Sequence, residues 1–476
     1  MNPDPNHAMT EQRRRFLTSA ASGLGCAAIS SILQHDGLLA DEANPLAPRE
    51  SHFAPRAKRC IFIFLAGGTS QVELFDHKPK LEELSGQQIP ESFREGIRLG
   101  QTGWNAPIME SRFGFKRYGQ CGMELSELLP NIGECADEIC LIRSMHHEAF
   151  DHAPGELELS TGIDQPGRPS MGAWVTYGLG SESQNLPSYV VMINHRSPNS
   201  RHMAWGNAFL PAANRGALLR NQGTPILNLA TPDGISPEMH QAQLAAMNRL
   251  NRLNYQRTGD PAIAAKIAAY ELAFRMQSAA TEWLDLKSET PGTFKQYGID
   301  DAARPSFARN CLLARRLVER GVRFVQLFHG DWDHHSAIKA GLPSQCGLTD
   351  QASAALVRDL AQRGLLDDTL VVWGGELGRG AVAQVSDKPN VAVGRDHQIE
   401  AFTMWFAGGG ARGGQTIGKT NDFGCLPETE PWHVYDLQAT ILHLLGLDHT
   451  KLTYRYQGRD FRLTDVHGNV KHELFA

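Results

Sequence analysis

No apolar run in the chain reaches the roughly 20 residues needed to span a bilayer as a mature domain. No C-x-x-C pair occurs among the 8 cysteines, which argues against a thiolate zinc site or a redox dithiol. A thiol-based enzyme fails for the same lack of a paired motif. Excess positive charge is missing too. The net charge of -6 gives no electrostatic reason to expect nucleic acid or an anionic membrane as partner. There is no internal repeat and no low-complexity tract. The run GGGARGG at 408–414 resembles a dinucleotide loop only superficially. No G-x-G-x-x-G precedes a helix with an acid at the right distance, so nicotinamide binding is rejected. What remains is ordinary globular composition, 41% hydrophobic and 21% charged, over 476 residues that can bury a large core.

Arg13, Arg14, Arg15, Phe16 and Leu17 match the twin-arginine export pattern, and LTSAASGLGCAAISSIL follows as a mildly apolar, small-residue stretch. Residues 1–40 are therefore expected to be a signal segment, with export to the periplasm or exterior. Cys26 sits in GLGC without the Leu that a lipidation site carries three residues earlier. Residues 41–57 lack periodicity and read as a linker. Cys135 and Cys140 flank a short turn and could be bridged in an oxidising compartment; the other cysteines read as small buried hydrophobes.

From 58 onward the chain reads as one domain. Continuous apolar runs at 58–68, 138–145 and 188–194 predict strands covered on both faces. GELELSTG and SMGAWVTYGLG predict short helices, each ended by Gly. Ser236 and Pro237 open a long helical region with a break near Gly259, Asp260 and Pro261, running to about Leu286. The C-terminal third alternates cleanly. The strands VRFVQLF, TLVVWGG and FTMWFAGGG are separated by helices, one of them capped by Thr349 or Asp350. That alternation predicts a mostly parallel sheet with helices on both faces. Residues 84–121 and 195–286 read as insertions that shape substrate choice.

Chemistry-bearing residues gather at strand exits, where open α/β sheets build their sites. Asp333 and His335 lie two apart just past VRFVQLF, with His329, Asp331 and His334 nearby. A carboxylate and an imidazole at that spacing suit a divalent ion. Glu376 follows VVWGG and reads as a ligand or as the cap of a following helix. Arg379 could pair with Glu376 or clamp an anionic substrate. Asp396 and His397 sit in GRDHQ, one as ligand and the other orienting it. The loop after the first strand holds Gly67, Gly68, Thr69, Ser70 and Gln71. Its glycines let N–H groups approach an anion, and Ser70 is a candidate nucleophile. Asp76 is a reserve ligand. The loop with His146, His147, Asp151 and His152 can reach the same edge.

The blocks FLAGGTSQVELFDHKP, LIRSMHHEAFDHAPGELELSTG, GDWDHHS, VVWGGELGRG, GRDHQ and FAGGGARGGQTIGKTND together resemble the uncharacterised domain of unknown function 1501 family. That family is placed in the alkaline-phosphatase/sulfatase-like superfamily, and the resemblance covers roughly residues 55 to 470. It implies a three-layer α/β fold, divalent metal at strand ends, and hydrolysis of phosphate or sulfate esters. By the same resemblance Asp333 and His335 look like one metal-binding pair, Glu376 falls at the superfamily's Asp-His-Gly strand exit, and His397 resembles its late histidine. The departures are specific. The chain has no Cys-x-Pro/Ser-x-Arg segment for a formylglycine nucleophile. Ala66, Gly67 and Gly68 replace the aspartate at the first strand's end. Asp151 and His152 stand where Ser or Thr is usual.

The resulting expectation is an exported metal-dependent hydrolase acting on a small-molecule or polysaccharide ester. Asp333, His335, Glu376 and His397 would hold zinc, calcium or manganese, Arg379 would offset substrate charge, and His152 or Asp396 would move protons. The alternative is a non-catalytic exported binding protein that keeps the fold and a structural metal.

Overall fold

The computed structural model describes residues 46–220, 236–260, 284–385 and 393–475, with part of 263–276. The arginine pair and the rest of the signal segment lie outside the described residues, as does part of the second half of the helical region that starts at Ser236. No helix among the described residues is long and apolar enough to cross a membrane.

Among the described residues the core is a nine-stranded sheet. Its strands are β1 (Arg59–Leu65), β2 (Ile139–His146), β3 (Tyr189–Asn194), β4 (Ala217–Leu219), β5 (Phe324–His329), β6 (Thr369–Gly374), β7 (Phe402–Ala407), β8 (Gln415–Ile417) and β9 (Trp432–His433). The order across the sheet is β8-β2-β7-β6-β1-β5-β3-β4, with β9 pairing β2 as well. All pairs are parallel except those of β7, which runs antiparallel to both β6 and β2. Alternate residues of β1 serve opposite faces. Ile61, Ile63 and Leu65 enter one apolar core, and Cys60, Phe62 and Phe64 enter the other. This two-sided burial is why β1 is apolar throughout rather than alternating.

Helices cover both faces. The longest among the described residues are α1 (His152–Thr161), α2 (Met171–Leu179), α3 (Pro237–Thr258), α4 (Phe307–Glu319), α5 (Ile338–Gln362) and α6 (Val434–Leu444). The first core takes α4 and α5, and the second takes α2 and α6. The expected three-layer α/β architecture is thus observed. Gly162 at φ 74 ends α1, as its sequence predicts. The Ser236 hydroxyl accepts from Met239 N at 3.2 Å to cap α3, and Gly259 at φ 65 closes it. Residues 46–57, read as a linker, have no regular structure but lie against the domain. Arg49 N donates to Leu179 O at 3.0 Å and Ala57 N to Leu444 O at 2.8 Å.

Two expectations are corrected. The helix expected to start at Thr349 or Asp350 begins at Ile338 and runs through both, with Pro343 inside it. Thr349 bonds back to Gln345 O, and Asp350 instead accepts from the N–H groups of Asn131 and Ile132 at 2.9 and 2.8 Å, capping a different, short turn. Cys135 and Cys140 are free thiols. Cys135 packs into one core and Cys140 into the other, so the sheet stands between them.

Two further strands, Gly378–Gln384 and Gly394–Gln398, form an antiparallel pair beside the sheet edge. They carry Arg379, Asp396 and His397 to the C-terminal ends of β1, β5 and β6. Because β7 is antiparallel, the segment entering it arrives at the edge that the parallel strands leave. His397, which precedes β7, therefore meets residues that follow β1, β2, β5 and β6.

Candidate metal centre

At that edge four side chains converge: His152, Asp333, His335 and His397, with one donor atom from each within 4.8 Å of the others. His152 is the first residue of α1, and Asp333 and His335 follow β5. His335 Nε2 is 2.9 Å from Asp333 Oδ1, and His397 Nε2 is 3.6 Å from the same oxygen. His152 Nε2 is 3.2 Å from Asp333 Oδ2.

The outward nitrogens of the three rings are all tied to acceptors. His152 Nδ1 donates to Glu376 Oε1 at 2.8 Å, His335 Nδ1 to Gln384 Oε1 at 2.5 Å, and His397 Nδ1 to the Phe150 carbonyl at 2.9 Å. A neutral imidazole has one proton, so donation through Nδ1 leaves a lone pair on Nε2. All three Nε2 atoms point at Asp333. Those of His335 and His397 are 3.0 Å apart, close enough to coordinate one ion together. Tying the second nitrogen to a carboxylate, amide or carbonyl is how proteins orient metal-binding histidines. The donor set of three nitrogens and a carboxylate therefore fits a divalent ion of the zinc type.

The charge is balanced from below. Arg379 is fully buried, and its Nη2 donates to Asp333 Oδ1 at 2.7 Å. Burial alone would raise the Asp333 carboxyl. The bonds from His152, His335 and His397 and the Arg379 charge outweigh it and hold the group far below the usual carboxylate range. Burial opposes protonation of His152, but its bonds to Asp333 and Glu376 raise it to about 9, so a cation bound at Nε2 displaces a proton there.

Asp333, His335 and His397 are thus brought together as the sequence suggests, whereas Glu376 lies behind the cluster rather than in it. Its Oε1 also accepts from Gly67 N at 2.8 Å. The anion that the Gly67–Gly68 turn was expected to cradle is this internal carboxylate. No helix follows Glu376 for it to cap. Gly67 sits at φ 114, and a Cβ there would fall 2.6 Å from Asp333 N, so only glycine fits between β1 and the Asp333 loop.

Arg379 does not pair with Glu376, nor does it face an open site. Its guanidinium is used up on Asp333 and on the carbonyls of Gly67, Gly68 and Arg395. Asp396 accepts from His397 N at 2.9 Å and from Thr102 N at 2.8 Å, and also from Gln101 N. It orients the His397 strand and pins residues 100–102 over the cluster, with no oxygen left bare for proton transfer. Ser70 precedes a four-residue turn, is buried, makes no side-chain hydrogen bond and is not part of the cluster. Asp76 pairs with Lys78 at 3.1 Å and takes a bond from Thr420 elsewhere. The His334 ring is buried against Gly341.

Several members escaped sequence reasoning. The Phe150 carbonyl and the Gln384 amide have no signature in sequence. Glu156 could have been found, since it lies one helical turn after His152 on α1. Its buried carboxylate accepts from Asn199 N and Ser200 N at 3.0 and 2.6 Å, and burial together with Glu376 pushes it up to about 7. A cavity of about 680 Å³, lined from residues 46–48, residues 181–186, α3 and the stretch that holds Ala264 and Arg275, shares no lining residue with the cluster.

Three solved structures illustrate what the chain is similar to. A sulfatase from Pseudoalteromonas sp. is 12% identical, with 82% of this chain and 68% of that chain covered at a TM-score of 0.35. The lipoteichoic acid synthase LtaP from Listeria monocytogenes is 10% identical, with coverages of 88% and 78% and a TM-score of 0.34. The alkaline phosphatase from the Antarctic bacterium TAB5 is 12% identical, with coverages of 74% and 92% and a TM-score of 0.30. No curated protein matches the chain. The model of the family described as "Protein of unknown function (DUF1501)" matches residues 57–475, and the chain belongs to that family.

Proposed function

We propose that the protein is a metal-dependent hydrolase of phosphate or sulfate esters, with one divalent cation held by His152, Asp333, His335 and His397. The observation that carries this reading is the convergence of three Nε2 atoms on one carboxylate, with each Nδ1 held at an acceptor. The donor set favours zinc or manganese over calcium, which takes six to eight oxygens. When bound, such a cation polarises an ester oxygen and lowers the pKa of a coordinated water.

The chain's own residues do the remaining work. Arg379 keeps Asp333 ionised. Glu376, fixed by Gly67 N–H, aims the His152 ring. Asp396 and Phe150 fix the backbone and ring of His397. No Cys side chain belongs to the cluster among the described residues, which supports attack by water rather than by a thiol. The same observation favours a second reading, a binding protein with a structural metal. The twin-arginine pattern at Arg13 and Arg14 supports export to the periplasm or exterior.

Elemental analysis of purified protein, paired with turnover of phosphate and sulfate esters, separates the readings. About one zinc or manganese per chain with ester turnover, both lost in Asp333→Ala, is the expected result. Full metal in Asp333→Ala sinks the site. Stoichiometric metal without turnover across the esters leaves the binding protein.

A further inference from the structure

The cluster is unevenly exposed. The side chains of Asp333 and His335 are 37% and 27% exposed, against 12% for His152 and 5% for His397. Residues 100–102 close the His397 side, with Gln101 and Thr102 bonded to Asp396 and Gly100 pressed on Phe150. On the other side the exit of β5 continues into Asp331, and the neighbouring strand β3 delivers His195. His195 Nδ1 is 3.4 Å from Asp331 Oδ2, and the two side chains are 42% and 43% exposed.

Both residues have left-handed backbones, at φ 60 and φ 71, which L side chains adopt only at a cost. The His195 ring stands edge-on to buried His329, with centroids 5.1 Å apart. The two exits are locked at Gly330, where a Cβ would lie 2.7 Å from the Arg196 carbonyl. The fold thus presents an imidazole and a carboxylate side by side, on a rigid floor, with their polar edges in solvent.

We propose that His195 and Asp331 form a subsite that binds the hydroxyl groups of a sugar bearing the ester. This rests on the hydrolase reading above. Asp331 is two residues from Asp333, at most roughly 7 Å along the chain, comparable with the width of one sugar ring. A carboxylate repels a second anionic group and accepts from hydroxyls, while imidazole can both donate and accept. The dyad therefore selects a neutral, hydroxylated group beside the anionic ester.

The test uses the full chain loaded with zinc, with His195→Ala and Asp331→Asn, on galactose 6-sulfate, glucose 6-phosphate and the matching p-nitrophenyl esters. Each variant should lose about tenfold or more in kcat/KM on the sugar ester, the size of one hydrogen bond to a charged group. Zinc content and p-nitrophenyl turnover should be unchanged. Equal losses on both ester types, or no loss on either, overturn the subsite. If the native chain turns over neither ester, the hydrolase reading fails by itself and calorimetric binding of the same two sugar esters decides. A tenfold weaker affinity in the variants then supports the subsite, and no binding by the native chain overturns it.

Discussion

Two groups of histidines and acids sit at the C-terminal edge of the sheet, and the partners behind their rings are of opposite kinds. In the cluster of His152, Asp333, His335 and His397, each Nδ1 meets an acceptor outside the cluster and each Nε2 faces Asp333, where a cation can take the place of a proton. The second group, His146, Glu148 and His433, also brings three ligand-type residues within reach of one ion. There, however, His433 Nδ1 accepts from Tyr435 N at 3.1 Å, capping α6. Its proton is thereby forced onto Nε2, which donates to Glu148 Oε2 at 2.8 Å. A cation at that Nε2 would need the proton moved to Nδ1, where it would meet the Tyr435 N–H. Residue type and proximity are alike in the two groups; the hydrogen bonds on the far side of the rings separate a metal site from a structural contact.

The sharpest way to break this contrast is a pair of double variants. His335→Ala with His397→Ala should abolish stoichiometric zinc uptake measured by titration calorimetry. His146→Ala with His433→Ala should leave uptake intact and cost only about 1 kcal/mol of stability in urea unfolding, the loss of a helix cap. Zinc uptake lost equally in both would erase the distinction. A smaller effect should come from behind the rings. Glu376→Gln keeps the shape but removes the charge that aims His152, and should weaken zinc binding about 10- to 100-fold without abolishing it. Unchanged affinity would mean that the outer hydrogen bonds do not matter.

The smallest expected effect concerns Glu156, beside Glu376. Burial, and then the Glu376 charge, push its carboxyl up to about 7 from an ordinary 4.5. An acid raised in this way holds its proton more tightly when folded. Its contribution to stability is fully present below 4.5 and is lost as pH rises through 7. Glu156→Gln cannot lose a proton. Apart from a constant offset, the melting temperature of the metal-free variant should therefore gain on the native protein between pH 4.5 and 8. Parallel melting curves across that range would remove Glu156 from the electrostatics of the centre.

Much of the fold was legible in the apolar runs. The strands at β1, β2, β3, β5, β6 and β7 and the glycine-ended helices α1 and α2 follow from local pattern, because two-sided burial and chain reversal need particular residue types. The start of α5 was not legible. Pro343 and the glycines at 341 and 347 disfavour a helix locally, yet packing against α4 carries it back to Ile338. At the centre, Asp333, His335 and His397 were visible as ligand types at strand exits. The exchange of Glu376 for His152 was not, because the Gly67 N–H and the His152 ring claim the Glu376 carboxylate from opposite sides.

The amino-acid sequence by itself determined the alternation of strands and helices and which ligand-type residues stand at strand ends, since both depend on neighbours a few positions away. Which nitrogen of each histidine is left to face a metal was decided only by the tertiary structure. The acceptors that set it come from 224, 49 and 247 residues along the chain, for His152, His335 and His397 respectively. A proton's place on an imidazole follows its hydrogen-bond partner, and folding alone brings those partners into reach.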